Sequence, residues 1–205
     1  MRPATVHRRW PDLLAAAASI GGLAAQSIQT EDPRPPIVYF TVWSAVLVAA
    51  SSSVLASRPS ELFAEVNRAA QPGALLSGLV FWTVLAPTNG IGHQAATMVA
   101  NLALHAVLPI AVVIRILTVE PVRPSTARRW VTLWFPAAYL GGVLAAEARG
   151  MRAPYTFLEP DWPALPVWAV TIGATYLAIG AGIDEVQKRR STPQAGSSTT
   201  HRVPE

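Results

Sequence analysis

A hydroxyl and an imidazole, placed on two separate apolar stretches of the chain, are the side chains best suited to chemistry here. Thr41 lies in YFTVWS and His105 in NLALHAVLPI. Such a pair is the minimal combination of nucleophile and general base, and imidazole exchanges protons near neutral pH. Asn101 precedes His105 by four residues, so on a helix it shares the same face and could orient the ring or donate to an oxyanion. The sequence therefore predicts Thr41 and His105 as candidate catalytic residues, supported by Asn101.

The same residues also have a purely structural interpretation. A threonine in an apolar helix commonly donates a hydrogen bond to the carbonyl three or four residues earlier. A histidine close to an asparagine can simply join two helices. His105 falls near the middle of an apolar stretch, where an ionisable side chain is costly and rarely lacks a partner. From these residues alone, catalysis and helix bridging both stay open.

The composition of the chain predicts the secondary-structure elements that position these residues. The chain has 205 residues, of which 51% are hydrophobic and only 14% charged, against about 25% charged in an ordinary soluble domain. The apolar residues form long runs, and six of these approach the roughly 20 residues that a membrane-spanning helix needs. They are Leu13–Ile28, Pro36–Ser57, Ala74–Ile91, Ala95–Leu117, Trp130–Ala146 and Ala164–Ile183. We predict an all-α, polytopic protein of the cell membrane, built as a single bundle of six transmembrane helices.

The basic residues predict the orientation of this bundle, because Lys and Arg are enriched in cytoplasmic segments. With the N-terminus inside, thirteen of them fall in inner segments and only Arg34, Arg149 and Arg152 in outer ones. The thirteen are Arg2, Arg8, Arg9, Arg58, Arg68, Arg115, Arg123, Arg128, Arg129, Lys188, Arg189, Arg190 and Arg202. Both termini are therefore predicted to be cytoplasmic, with Thr41 and His105 in the outer half. The predicted organisation is an N-terminal arm (1–12), a transmembrane domain (13–190) and a disordered tail (191–205).

Several classes of function lack support in the sequence. Without cysteine there is no disulfide or thiolate metal site, and GxSxG, HExxH, P-loop and GxGxxG motifs do not occur. We therefore predict no cofactor and no metal, and no nucleic acid partner, since the basic residues flank the spans instead of forming a patch. The inner halves of the predicted spans supply almost no polar groups, which disfavours a transporter or proton relay. Small residues such as Gly22 and Gly142 predict close helix packing.

Three segments of the chain resemble one known family. They are YFTVWS, NLALHAVLPI and the run PAAYLGGVLAAEARGMRAPYTFLEP. Together they are similar to the androgen-induced and androgen-dependent TFPI-regulating proteins of animals and their actinobacterial six-helix relatives. The resemblance extends from about Tyr39 to Asp184. In that family's bacterial pattern an asparagine usually stands where this chain has Val42, and an aspartate where it has Glu159.

The resemblance implies a function as well as a fold. Animal members are intramembrane threonine hydrolases that split esters of fatty acids with hydroxy fatty acids. Carried over, this implies Thr41 as nucleophile, His105 as base, and a membrane lipid or fatty-acid ester as partner. Apart from the resemblance, aromatic residues such as Tyr155 in the last outer loop predict either anchoring at the headgroup boundary or a lid over the site, and Glu159 could influence the imidazole or be solvated. The alternative is a non-enzymatic lipid-binding or interaction protein in which His105 is a structural contact between helices.

Overall fold

The protein is entirely helical where its structure is described. The computed structural model describes residues 9–29, 36–119, 133–151, 154–155 and 165–191, and these ranges contain six helices and no strand. The helices are α1 (Trp10–Ile28), α2 (Phe40–Ser57), α3 (Glu61–Asn89), α4 (Ala95–Thr118), α5 (Trp134–Glu147) and α6 (Leu165–Ser191). The predicted all-α class is confirmed. The predicted third span is too short, because α3 begins at Glu61 and not at Ala74.

Four of the described helices are long and apolar enough to cross a membrane: α2, α3, α4 and α6. Helix α5 has 14 residues, about 21 Å at 1.5 Å per residue, which is short of the roughly 30 Å hydrocarbon core. Helix α1 has 19 residues but includes Asp12 and Gln26, and it is not among the four. The structure is thus compatible with a membrane protein through these four helices.

The core of the bundle forms around one face of α4. Leu104, Leu108, Val112 and Ile116 recur every four residues, so they lie on one side of the helix. They pack in one cluster with small side chains of the neighbouring helices, and each is at most 5% exposed. The small partners are Ala15, Ala45, Ala70 and Ala74. Large residues on α4 therefore fill the space that alanines on α1, α2 and α3 leave.

The first turns of α3 carry a buried polar cluster that the sequence analysis assigned to a loop. The Asn67 amide nitrogen donates to the hydroxyls of Ser51 and Ser52 on α2, at 2.8 Å each. Gln71 in turn donates to the Asn67 carbonyl oxygen at 2.8 Å, and Asn67 is fully buried. In the predicted orientation these residues belong to the inner end of the bundle, so the expectation that the inner halves supply almost no polar groups is not met there. It failed because the third span was started after these residues.

Helix α6 lies at the periphery and is attached to α3 by polar contacts. Only 11% of its most apolar 18-residue window is buried. The Tyr176 hydroxyl donates to the Ala69 carbonyl at 2.6 Å, and Arg68 pairs with Asp184 at 2.7 Å. Arg68 was counted as a cation of an inner loop, whereas it lies within α3 and is nearly buried in this ion pair.

A second ion pair closes the same end of the bundle. Arg115, in the last turn of α4, contacts the carboxylate of Asp12, in the first turn of α1, at 2.5 Å. Asp12 is completely buried and Arg115 is 8% exposed. Losing one partner of a buried pair is much more costly than replacing both, since it leaves an uncompensated charge.

We therefore expect Arg115→Met to lower the free energy of unfolding by about 3–5 kcal/mol, and Asp12→Leu combined with Arg115→Met to recover most of that loss. The measurement is thermal or denaturant unfolding of the purified protein in detergent. Arg189→Met is the matched control, because Arg189 pairs with Glu185 on an exposed helix surface and should leave the unfolding midpoint unchanged. If the double variant had a free energy of unfolding even lower than that of Arg115→Met alone, the buried ion pair would not be the cause of the loss.

Candidate functional site

The His105 side chain is held in one orientation by α3. Its Nδ1 atom lies 3.2 Å from the carbonyl oxygen of Ser77. A carbonyl only accepts, so Nδ1 carries the hydrogen, and in the neutral ring Nε2 then keeps its lone pair. The ring stacks on Phe81 with centroids 4.2 Å apart and planes at 3°. His105 is 9% exposed, and Nε2 has no hydrogen bond to a described residue. The geometry is that of an oriented imidazole with one nitrogen free to accept a proton.

The backbone at His105 departs from the α-helix. Residues Ala103–Val107 form a π-turn in which the Leu108 N–H donates to the Ala103 carbonyl. Pro109 follows and has no N–H, so the His105 carbonyl lacks the donor it would have in a regular helix. The indole nitrogen of Trp82 supplies one at 2.8 Å. The H-x-x-x-P spacing therefore sets the backbone geometry of the candidate base.

Helix α3 carries a matching irregularity beside it. Residues Phe81–Leu85 form a second π-turn, in which the Ala86 N–H donates to the Phe81 carbonyl. Pro87 stands in the same position relative to this turn as Pro109 does to the other. Single π-turns within α-helices occur frequently at functional sites. Here one π-turn contains Phe81 on α3 and the other contains His105 on α4. The two rings stack on each other, so both π-turns lie where the helices meet.

Close approach of α3 and α4 depends on Gly78. A Cβ at this position would lie 2.8 Å from Cγ of Pro109 and 3.0 Å from the His105 carbonyl oxygen. The predicted packing role of glycine is confirmed at Gly22, where a Cβ would meet the Leu104 side chain at 2.5 Å. At Gly142 a Cβ would meet nothing within 4 Å, so close packing does not explain that glycine.

Thr41 is buried in the first turn of α2, at 5% exposure. Other hydroxyls donate within their own helices, for example Ser44 to the Phe40 carbonyl at 3.0 Å and Thr83 to the Leu79 carbonyl at 2.7 Å. The Thr41 hydroxyl makes no hydrogen bond to any described residue. The structural interpretation of Thr41, a bond back to its own helix, is therefore not observed.

The carbonyls that would accept such a bond are engaged by aromatic side chains. The Ile37 carbonyl accepts from the indole of Trp43 at 2.7 Å. The Val38 carbonyl accepts from the hydroxyl of Tyr139 on α5 at 2.8 Å. These two contacts fix the chain just before α2, and Thr41 follows directly in the helix that they hold.

The register of α2 against α3, continued to the first turn of α2, places Thr41 level with the turn of α3 that binds His105, although no hydrogen bond joins Thr41 and His105 in the described residues. Helices α2 and α3 are antiparallel: Ser51 contacts Asn67, and Ser44 Oγ lies 2.6 Å from where a Cβ of Gly73 would be. One more turn of this register brings Thr41 level with residues 76–77, where His105 is bound. Hydrogen bonds between catalytic groups are often long without substrate and shorten when it binds.

The predicted supporting residues are placed differently. The Asn101 amide donates to the Ile91 carbonyl at 3.2 Å, so it holds the loop before α4, and Ser77 and Phe81 orient the ring instead. Tyr155 packs edge-on against Tyr39 with ring centroids 5.9 Å apart, which places Tyr155 beside the residue that precedes α2. Glu159 lies outside the described residues.

An apolar groove of about 310 Å³ lies between α2 and α5. Its lining includes Trp43, Leu47, Trp134 and Val143, with Met151 at one end. The polar atom of Trp43 is already bonded to a carbonyl, so the indole presents its apolar face to the groove. At 100° per residue, Trp43 and Thr41 lie about 160° apart around α2. The groove and the candidate catalytic pair therefore lie on nearly opposite sides of α2.

Comparison with protein-family models, with curated proteins and with solved structures finds no match to this chain. Membership of the family that the sequence resembles therefore stays a prediction. The functional argument accordingly depends on the geometry of the residues themselves.

Sequence reasoning missed the residues of α3 that surround His105. Ser77, Phe81 and Trp82 looked like ordinary members of an apolar span. A signal was nevertheless present: Pro109 removes the N–H that would bind the His105 carbonyl, so a donor had to come from elsewhere. Tryptophan in a neighbouring span is a natural source, because its indole N–H needs an acceptor when buried.

Gly78 provides a direct test of this packing. We expect Gly78→Ala to lower the free energy of unfolding by about 1–3 kcal/mol, as overpacking does. Gly142→Ala, also a glycine within a helix but with open space, should be neutral or stabilising by about 1 kcal/mol, because alanine favours the helix. Unfolding of both variants in detergent measures the difference. Equal stability of the two would contradict the close approach of α3 to His105.

Proposed function

We propose that this chain is an integral membrane protein that hydrolyses lipid-like esters within the membrane, with Thr41 as nucleophile and His105 as general base. The observation that carries the proposal is the Nδ1 contact of His105 with the Ser77 carbonyl, which leaves Nε2 as the accepting nitrogen. The unengaged hydroxyl of Thr41, level with the same turn of α3, supplies the partner.

The reaction uses two balanced steps. Thr41 Oγ attacks the ester carbonyl while Nε2 of His105 takes the hydroxyl proton. The tetrahedral intermediate expels the alcohol, which leaves with that proton, and an acyl-threonine remains. Water then loses a proton to Nε2 and attacks the acyl carbon, and the released acid leaves Thr41 with its hydroxyl restored. No metal or cofactor enters either step.

The position of Thr41 in its helix favours this chemistry. The first N–H groups of a helix have no partner within it and carry the positive end of the helix dipole. Thr41 lies in the first turn of α2, and its own N–H makes no backbone hydrogen bond within the described residues. Such donors suit an oxyanion that develops next to the nucleophile. This N–H group takes the role that the sequence analysis assigned to Asn101.

The membrane arrangement belongs to the same proposal. Six spans with both termini in the cytoplasm place Thr41 and His105 in the outer half of the bundle, as the distribution of Lys and Arg implies. The ion pairs of Asp12 with Arg115 and of Arg68 with Asp184 then lie at the cytoplasmic end. A nucleophile among apolar helices favours esters that dissolve in the bilayer, which makes membrane lipids the expected substrate class.

Covalent labelling tests the catalytic pair. We expect a fluorophosphonate probe to label the purified protein on Thr41, because the activated hydroxyl displaces fluoride from phosphorus. Thr41→Ala should abolish labelling, His105→Gln should slow it by about 10²- to 10⁴-fold, as loss of a general base does, and Thr41→Ser should retain it. The matched control is Thr83→Ala, since Thr83 donates to its own helix. Labelling that survives Thr41→Ala would refute the assignment.

The apolar groove between α2 and α5 favours a second function, non-enzymatic binding of a lipid tail. Its size falls at the lower end of the range of small-molecule sites, about 300–1,000 Å³. The indole nitrogen of Trp43 and the hydroxyl of Tyr139 both bind backbone carbonyls, so the groove offers apolar surface to its ligand. The groove lies away from Thr41, so this function does not require the catalytic pair.

Photo-crosslinking tests this second function. We expect a fatty acid with a diazirine in its chain to label peptides that contain Trp134 or Met151 in the reconstituted protein. Gly142→Leu should reduce this labelling because its side chain fills the groove. Gly173→Leu is the control, since Gly173 also has open space but does not line the groove. Equal labelling of both variants would exclude the groove as the site.

A further inference from the structure

The hydrogen bond between Trp82 and His105 connects two helices at the position where Pro109 interrupts one of them. In a regular helix the carbonyl of residue 105 accepts from the N–H of residue 109, and proline has none. An unpaired carbonyl in an apolar interior is costly. The Trp82 indole nitrogen, 2.8 Å away, provides the missing donor from α3. This bond acts on the backbone of His105 and leaves both ring nitrogens untouched.

We propose that Trp82 is a positioning residue for His105, because its indole N–H replaces the backbone hydrogen bond that Pro109 removes. The inference rests on the proposed function, in which His105 is the general base. Three groups of α3 then fix His105: the Ser77 carbonyl holds Nδ1, Phe81 holds the plane of the ring, and Trp82 holds the backbone. Each controls a different degree of freedom of the same residue.

Loss of the indole N–H should displace the ring without removing it. The π-turn at Ala103–Val107 is free to relax once the His105 carbonyl lacks its donor, and the contact of Nδ1 with Ser77 changes with it. A displacement of about 1 Å in a catalytic group can lower the rate by about 10²-fold. Ground-state binding of an ester depends on other surfaces and should remain.

Trp82→Phe tests the proposal, because it keeps an aromatic ring beside Phe81 and removes only the indole and its N–H. We expect kcat for ester hydrolysis to fall about 10- to 100-fold while KM stays within about twofold. Trp10→Phe is the matched control, since Trp10 on α1 is 47% exposed and its nitrogen has no hydrogen bond to a described residue. Unchanged kcat in Trp82→Phe would overturn the proposal.

A rescue experiment separates the hydrogen bond from simple packing. Pro109→Ala provides an N–H at the position from which a regular helix binds the His105 carbonyl. In the Trp82→Phe background, we expect this second change to restore kcat to within about threefold of Pro109→Ala alone, since the two donors are interchangeable. A double variant that remains as slow as Trp82→Phe would show that Trp82 acts through its bulk, which overturns the proposal.

A readout without catalysis distinguishes failure of this inference from failure of the proposed function. Nitrogen-15 NMR of labelled histidine reports which ring nitrogen carries the hydrogen, and His105→Gln identifies the His105 signal among the four histidines. We expect the form with hydrogen on Nδ1 to dominate in the wild type, to decrease in Trp82→Phe and to return with Pro109→Ala. If this pattern appears without esterase activity, Trp82 positions His105 as proposed, but the proposed hydrolase function is wrong. An unchanged His105 signal in Trp82→Phe would overturn the positioning itself.

Discussion

Hydrogen bonding between apolar helices is the constraint on which this structure depends, and α3 satisfies most of it. Four of the helices are compatible with a membrane, and in lipid helices associate through close packing and polar contacts. Helix α3 uses Asn67 for α2, Ala69 for α6 and Ser77 for α4. The Asn67 side chain and the backbone carbonyls of Ala69 and Ser77 thus serve as attachment points along α3, and the candidate site is formed at one of them.

Proline residues determine where in these helices a hydrogen bond from another helix is needed. Pro87 and Pro109 each remove one N–H from a helix, and a π-turn precedes each of them. A carbonyl freed in this way needs a donor from another helix, which makes the helix pair specific for one register. For His105 the donor comes from Trp82, so the requirement to satisfy a backbone carbonyl also aligns the imidazole. Structural and catalytic interpretations of His105 are therefore compatible, because the contacts that join α3 and α4 are those that orient its ring.

The fold class and the core positions of Thr41 and His105 could be predicted from sequence, because long apolar runs and isolated polar residues within them are local signals. The start of α3 could not, since Asn67, Arg68 and Gln71 look like loop residues unless their partners are known. Ser51, Ser52 and Asp184 are those partners, and they are distant in the chain. The same limit applies to Asn101. Its spacing of four residues from His105 predicts that both side chains lie on one face of the helix. The π-turn that contains His105 changes the helical phase, and the Asn101 amide binds the Ile91 carbonyl instead. Pairwise contacts between spans decide these positions, and a single sequence does not contain them.

The two faces of α2 lead to a consequence for any lipid ester that this protein binds. Trp43 and Leu47 line the groove on one side, and Thr41 lies about 160° away from Trp43 around the helix. Tyr39, which directly precedes α2, contacts Tyr155 edge-on at the same end of this helix as Thr41. A lipid tail bound in the groove would therefore lie on a different face of α2 from the proposed nucleophile, so the two proposed functions use separate surfaces of one helix.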